Sequence, residues 1–152
     1  MKKNKAEHLV DFNLRHSWHK ISRLYNQKAK NHGLTMSMGF ILLVVDKEGT
    51  PSTQLGPRMG MEPTSLSRTL KTMETKGYIK KVIDGEDKRR VLIFLTDLGV
   101  SIRREVREVV IGFNEKLEQN ITKEKLIVFF EVMQTINDFV DDEFLNLNNT
   151  KI

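Results

Sequence analysis

The chain is 152 residues long, 30% of them charged, with a formal net charge of +5 and a sequence pI near 9.5. That length fits one domain or two interleaved lobes around a real core, and the basic balance favours an anionic partner. There is no cysteine, which excludes disulfides, thiolate metal sites, cysteine nucleophiles and thiol redox sensing.

No stretch approaches the ~20 apolar residues of a membrane span, and "MKKNKAEH" lacks the apolar core of a signal peptide. No membrane partner is expected, and a cytoplasmic location follows as the default. Charge is segregated: residues 1–32 carry eight Lys/Arg against two acids, 58–90 nine against five, and 122–152 three against six. Such asymmetry suggests that one part of the molecule faces an anion and another does not.

The spacing predicts a first helix from about Ala6 to His32. Val10, Leu14, Trp18, Ile21 and Tyr25 form one stripe, while Leu9, Phe12, His16, His19 and Arg23 lie opposite. A helix apolar on two sides usually sits between two bodies, and Gly33 suits its C-terminal cap. Ser37 is the expected N-cap of a short apolar helix, "MGFILLVVDKEG", closed near Gly49. Ser52 or Thr53 suits the cap of a further short helix, which Gly56-Pro57 weakens. Pro63 then opens a helix running to about Lys76 and ended by Gly77. "YIKKVID" and "RVLIFLT" flank "GEDKR" as the strands of a hairpin. Thr96 or Asp97 opens a long helix, and Thr122 caps a last one with Leu126, Phe129, Phe130, Met133, Ile136, Val140 and Phe144 on its apolar side. The expected order is α-α-α-α-β-β-α-α, with tails only at the termini.

Two constellations carry chemistry. On the helix 64–76, Leu66, Leu70 and Met73 face the core. Thr64, Arg68, Lys71 and Thr75 cluster at the opposite pole, flanked by Ser65, Ser67 and Thr72. Hydroxyls and guanidinium suit base edges and phosphates, although such residues on a surface need no explanation by themselves. At the hairpin tip, Asp84, Glu86 and Asp87 precede Lys88, Arg89 and Arg90. A hairpin tip presenting Arg can enter a minor groove, and Asp87 is placed to fix the Arg89 guanidinium. A solubilising turn is the plainer alternative for the loop alone. Helix, Gly turn, strand, basic loop and strand within 35 residues is a much narrower pattern.

The stretches "MGMEPTSLSRTLKTMETKGYIKK" and "DGEDKRRVLIFLTDLG" resemble the MarR family of winged-helix regulators. The second follows that family's wing pattern, with Asp87 and Arg89 at the Asp-x-Arg positions. The resemblance covers nearly the whole chain, and Gly56-Pro57 departs from it where the family usually has helix formers. It implies a mainly α (α+β) winged helix-turn-helix with N- and C-terminal dimerisation helices. Residues 1–34 and 97–152 would form the helical dimerisation lobe and 35–96 the DNA-binding lobe. The implied function is a homodimeric, sequence-specific regulator, in the first instance a repressor, on a pseudo-palindromic operator in double-stranded DNA.

The expected DNA-facing set is Ser52, Thr53, Thr64, Ser65, Ser67, Arg68, Lys71, Thr72, Asp87, Lys88, Arg89 and Arg90. The expected dimer contacts are Leu9, Phe12, His16, Phe130, Met133, Ile136, Val140 and Phe144. Family members commonly bind small anionic effectors, aromatic carboxylates or acyl-coenzyme A thioesters among them. Arg15, Trp18, His19, Met36 and Phe40 would line such a site here, since a cation beside aromatic and thioether surface suits an anion with an apolar body. Trp18, Met36 and Phe40 equally suit a core. No cofactor is expected, and His8, His16 and His19 lack the acids a metal site would need. No Gly-rich phosphate loop or Ser-His-Asp grouping is present, so no enzyme is expected. A winged helix used for protein interaction or ligand-independent DNA binding is the alternative, and it needs no Arg at the wing.

Overall fold

The computed structural model describes residues 5–149, so the outermost residues of the expected tails (1–4 and 150–152) lie outside the described residues. The chain divides into two compact units, Met1–Val109 and Val110–Ile152.

In the first unit a single 3-10 turn (Lys5–His8) precedes α1 (Val10–Lys30), which therefore starts at Val10 and not at Ala6. Tyr25 is the one buried residue of α1, and burial pushes its hydroxyl pKa up. Gly33 (φ +66) closes the helix in a left-handed turn. Helix α2 (Met36–Val44) is capped by Thr35 and not by Ser37. The Thr35 backbone is extended, and its hydroxyl accepts the Met38 N–H at 3.3 Å. The helix stops at Val44, well short of Gly49, because the half-buried Arg103 guanidinium receives its end. Arg103 donates to the Leu43 and Val45 carbonyls at 3.1 and 3.0 Å.

A two-residue strand, β1 (Thr50–Pro51), was not expected from the sequence; it pairs Thr50 with Ile93 and Pro51 with Leu92. Helices α3 (Ser52–Met59) and α4 (Pro63–Thr75) follow, then β2 (Ile79–Ile83) and β3 (Val91–Leu95). The sheet is antiparallel in the order β1-β3-β2. One core joins these elements: Met38, Ile41 and Leu42 of α2, Leu55 of α3, Leu66, Leu70 and Met73 of α4, with Ile79 and Ile93 from the sheet. Each such side chain contributes about 1.5–3 kcal/mol by leaving water.

The base of the hairpin is bonded to the start of α5 (Asp97–Glu118). The Thr96 hydroxyl donates to the Gly77 carbonyl and accepts the Gly99 N–H, while the Thr96 N–H donates to Tyr78 O. Gly99 has to be glycine, because a Cβ there would lie 2.0 Å from the Tyr78 carbonyl oxygen.

In the second unit the end of α5 turns through Asn120 and Ile121, whose N–H groups both reach Leu117 O at 2.9 Å. Thr122 then accepts the Lys125 N–H and opens α6 (Lys123–Asn149). No residue of α6 is buried. Among the described residues, no helix is long and apolar enough to cross a membrane.

Replacing Thr96 by Val removes two hydrogen bonds and leaves partly buried partners unpaired. Thr96→Val is therefore expected to destabilise the fold by about 1–3 kcal/mol, read as a lower urea midpoint at unchanged slope.

Candidate nucleic-acid interface

Helix α3, a tight turn and α4 form the helix-turn-helix. Pro51 occupies the N-cap of α3, so Ser52 and Thr53 are its first helical residues and neither is the cap. Gly60 (φ +59) ends the helix, and Met61 N–H reaches back to the Gly56 carbonyl at 3.0 Å. The pair Gly56-Pro57 does not break the helix. Gly56 is buried, and a Cβ there would sit 3.2 Å from Met61 O and 3.7 Å from Leu66 Cδ2. Glycine is what lets α3 approach the turn and α4 so closely. Pro57 merely withholds an N–H from the Thr53 carbonyl. Ser52, Thr53 and Ser67 share with Met61, Pro63 and Leu66 an open groove of about 660 Å³ between the two helices.

On α4 the residues divide by face as the periodicity requires. Leu66, Leu70 and Met73 are buried, while Thr64, Ser65, Ser67, Arg68, Lys71 and Thr72 are exposed. Three hydroxyls bond back along the helix: Thr69 to Ser65 O, Thr72 to Arg68 O and Thr75 to Lys71 O, at 2.9–3.0 Å. Thr72 thus spends its proton on the helix and presents lone pairs outward. The hydroxyls of Thr64, Ser65 and Ser67 make no such bond among the described residues.

The wing loop holds its shape through backbone bonds and two acids. Asp84 N–H donates to Arg90 O at 2.9 Å, and Arg90 N–H to Asp87 O at 2.8 Å. The Asp84 carboxylate accepts the Glu86 N–H at 3.1 Å, and Asp87 Oδ1 accepts the Arg89 N–H at 3.0 Å. Here the expectation is corrected: Asp87 holds the backbone of Arg89, not its guanidinium. A carboxylate two residues ahead closes an Asx-type turn more readily than it meets a long side chain. Arg90 lies 3.6 Å from Asp84.

The cations of residues 58–90 therefore fall into two groups. Arg58 pairs with Asp46 at 3.2 Å and Lys81 with Glu74 at 2.8 Å. Lys76 donates to Gly33 O at 2.7 Å, and Lys80 lies 5.8 Å from the centre of the Phe94 ring. With Arg90, these five are occupied. The head groups of Arg68, Lys71, Lys88 and Arg89 have no ion-pair or hydrogen-bond partner among the described residues. The structural cations among them carried little local signal, since their partners lie 6 to 43 residues away.

The remaining expected site residues lie elsewhere. Phe12, Arg15, His16, Trp18, His19 and Ser22 line a groove of about 620 Å³ along α1. Phe40 stacks on Trp18 at 6.3 Å and meets Tyr25 edge-on at 5.9 Å. Trp18 is 52% exposed, and Met36 and Phe40 are half-buried, so none of the three is core. Met36 does not line the groove; the Asn26 side chain accepts its N–H at 3.0 Å. Of the expected dimer contacts, Leu9, Phe12, His16, Phe130, Val140 and Phe144 are exposed, whereas Met133 and Ile136 are half-buried.

A family model described as "MarR family" matches residues 34–91, from the end of the α1 turn through the wing. The HTH-type transcriptional regulator TtmR of Methylorubrum extorquens is 33% identical over 86 residues, covering 56% of this chain and 44% of its own. This chain thus spans less than half of that relative's length. The HTH-type transcriptional regulator SarZ of Staphylococcus epidermidis is 29% identical over 126 residues, covering 82% of this chain and 81% of its own. Among solved structures, the S. aureus MepR–DNA complex superposes with a TM-score of 0.78 at 17% identity, over 86% of this chain and 97% of that one. Family match, relatives and winged-helix fold agree: over residues 34–91 the chain is similar to the MarR family, and its fold is that of the winged-helix structures it superposes on.

Proposed function

We propose that the protein is a cytoplasmic, homodimeric transcriptional repressor that binds a pseudo-palindromic operator and releases it on binding a small anionic ligand. The observation that carries the DNA reading is the set of cations without a partner among the described residues, Arg68 and Lys71 on α4 and Lys88 and Arg89 on the wing. Nearby cations all have partners within the chain, so these four meet phosphate or base edges without breaking an existing contact. The functional lobes follow this use, with 35–96 contacting DNA and 1–34 with 97–152 pairing two copies. The MepR structure of the same fold is a complex with DNA.

In this reading α4 lies in the major groove. Thr64, Ser65, Ser67 and Arg68, in its N-terminal half, face bases, while Lys71 and Thr72 reach phosphate and Ser52 and Thr53 meet the backbone from α3. Arg89 enters the adjacent minor groove, Lys88 and Arg90 flank it, and Asp87 holds the loop that aims it. Support for pairing comes from α6, where Phe130, Phe139, Phe144 and Leu145 are each more than 60% exposed in the single chain. A two-fold interface covers that surface on both copies at once. The α1 groove supports the ligand reading: Arg15 supplies charge, and Trp18 and His19 supply aromatic surface.

Arg89→Ala is expected to keep the fold and weaken binding to an operator selected from random DNA by about 1–3 kcal/mol. Asp87→Ala should weaken it less, through a looser loop. Unchanged affinity in both, with circular dichroism confirming the fold, defeats the wing assignment. Base reading is tested separately by repeating the selection with Arg68→Ala. The expected result is a less stringent consensus, and an identical consensus at equal stringency counts against it. Assembly is tested with Phe130→Glu, which places a charge on a side chain already exposed in the single chain. Light scattering over a dilution series should show the wild type as a dimer and the variant as a monomer, with operator binding lost in parallel. A wild type that is monomeric at micromolar concentration would overturn the dimer.

A further inference from the structure

Two side chains from distant parts of the chain converge on consecutive residues of the turn after α1. Lys76 Nζ, just beyond the end of α4, donates to the Gly33 carbonyl oxygen at 2.7 Å across 43 residues of sequence. One residue earlier, His32 Nδ1 lies 2.9 Å from Glu105 Oε2 of α5. The turn that receives them is tightly bonded. The N–H groups of His32 and Leu34 both return to Ala29 O at 3.0 Å, and that of Gly33 to Lys30 O at 3.1 Å. On its far side the Asn26 carboxamide oxygen, on α1, accepts the Met36 N–H of α2 at 3.0 Å. The Lys76 ammonium is thus a cation at the carbonyl end of α1, where the partial negative charge of the helix collects. These contacts lie at the surface, with His32 40% and Glu105 50% exposed, so filling the core does not account for them.

We infer that the turn 31–33 is the joint that sets the angle between α4 and α1, with Lys76 and Glu105 as positioning residues for paired DNA recognition. This rests on the reading of α4 as the DNA-reading helix and α1 as part of a two-fold interface. In such a dimer α1 is held against the partner, so the separation of the two α4 helices depends on how firmly each is tied to its own α1. Lys76 ties the C-terminal end of α4 to the turn directly. Glu105 holds the same turn from α5, which Arg103 in turn fixes to the end of α2. Loosening the joint leaves each lobe able to bind one half-site. It reduces the chance that the second half-site is met at the right distance, which is where the gain from pairing resides. By charge alone Lys76 would be counted as a phosphate contact, and the two roles make different predictions.

The test uses the full chain, as wild type, Lys76→Met and Glu105→Leu. Lys76→Met keeps the aliphatic stem and loses the donor. Glu105→Leu removes the acceptor for His32 Nδ1–H, which Gln would keep, and a negative charge, so electrostatics alone would not weaken its binding to DNA. Each is titrated at several salt concentrations onto a two-half-site duplex selected with the wild type. The same duplex with one half-site scrambled, and duplexes with the spacing changed by one base pair, complete the set. Both variants are expected to match the wild type on the single half-site, with the same salt slope. On the paired site they should bind about fivefold more weakly, the scale of one hydrogen bond, and should discriminate less against altered spacing. If Lys76→Met weakens single and paired sites alike and lowers the salt slope by about one, Lys76 is a phosphate contact and the inference is overturned. Unchanged binding on every duplex overturns it too. A wild type with no preference for a fixed spacing defeats the underlying dimer reading, and this inference with it.

Discussion

The geometry of the winged helix depends on one polar junction at Thr96. Its hydroxyl serves the Gly77 carbonyl and the Gly99 N–H at once, and its own N–H serves Tyr78 O. Gly77 ends α4, Tyr78 leads into β2, Thr96 follows β3, and Gly99 lies in the first turn of α5. Four elements therefore meet through one side chain and two glycines. Gly77 takes φ +73, which turns the chain out of α4, and Gly99 leaves room for the Tyr78 carbonyl. Because α4 and the hairpin share this junction, the base of the hairpin is tied to the end of the helix. That tie makes the arrangement of their cations meaningful, since a loosely hinged wing would lose its contact energy to ordering.

Charge within the lobe is organised by the same logic. Several surface acids are engaged by partners within the lobe. Glu74 holds Lys81, Asp46 holds Arg58 and the Thr50 hydroxyl, and Asp84 and Asp87 hold backbone N–H groups of the wing loop. What remains outward on α4 and the wing is mainly hydroxyl, guanidinium and ammonium, with Glu62 and Glu86 as exposed acids beside them. Each exposed ion pair by itself contributes little to stability. Their larger effect is to separate cations that shape the fold from those left for a partner.

Much of this was legible in the chain because its signal is local. Leu66, Leu70 and Met73 recur at helical spacing and are all buried, Pro63 opens α4, and the two β-rich runs around "GEDKR" pair as a hairpin. What could not be read depended on partners far away in sequence. Strand β1 is two residues long and exists because Ile93 and Leu92 pair with it. Helix α3 survives Gly56-Pro57 because of the close packing against Met61 and Leu66. Arg103 and Lys76 look like ordinary surface cations until the fold brings Val45 and Gly33 to them. At the site, the sequence pointed to the outward face of α4 and the wing. It did not separate Arg89, whose guanidinium has no partner among the described residues, from Arg90, which faces Asp84, nor reveal that Asp87 bonds a backbone group.

Helix α6 poses a different physical problem. It runs for 27 residues with none buried. A helix of ordinary composition is only marginally stable by propensity alone and usually gains its stability by packing an apolar face. Here the apolar residues are not confined to one stripe: Ile127, Val128, Phe129, Phe130 and Val132 are all exposed within six consecutive positions. No single neighbouring helix covers so wide an arc, and leaving it in water forfeits about 25 cal/mol for each Å² of apolar surface. If a second copy supplies the cover, as proposed, the order of α6 and the association of the protein become one equilibrium. Stability measured on the chain then rises with its concentration, and the separation of the two DNA-reading lobes depends on the same contacts that keep α6 helical.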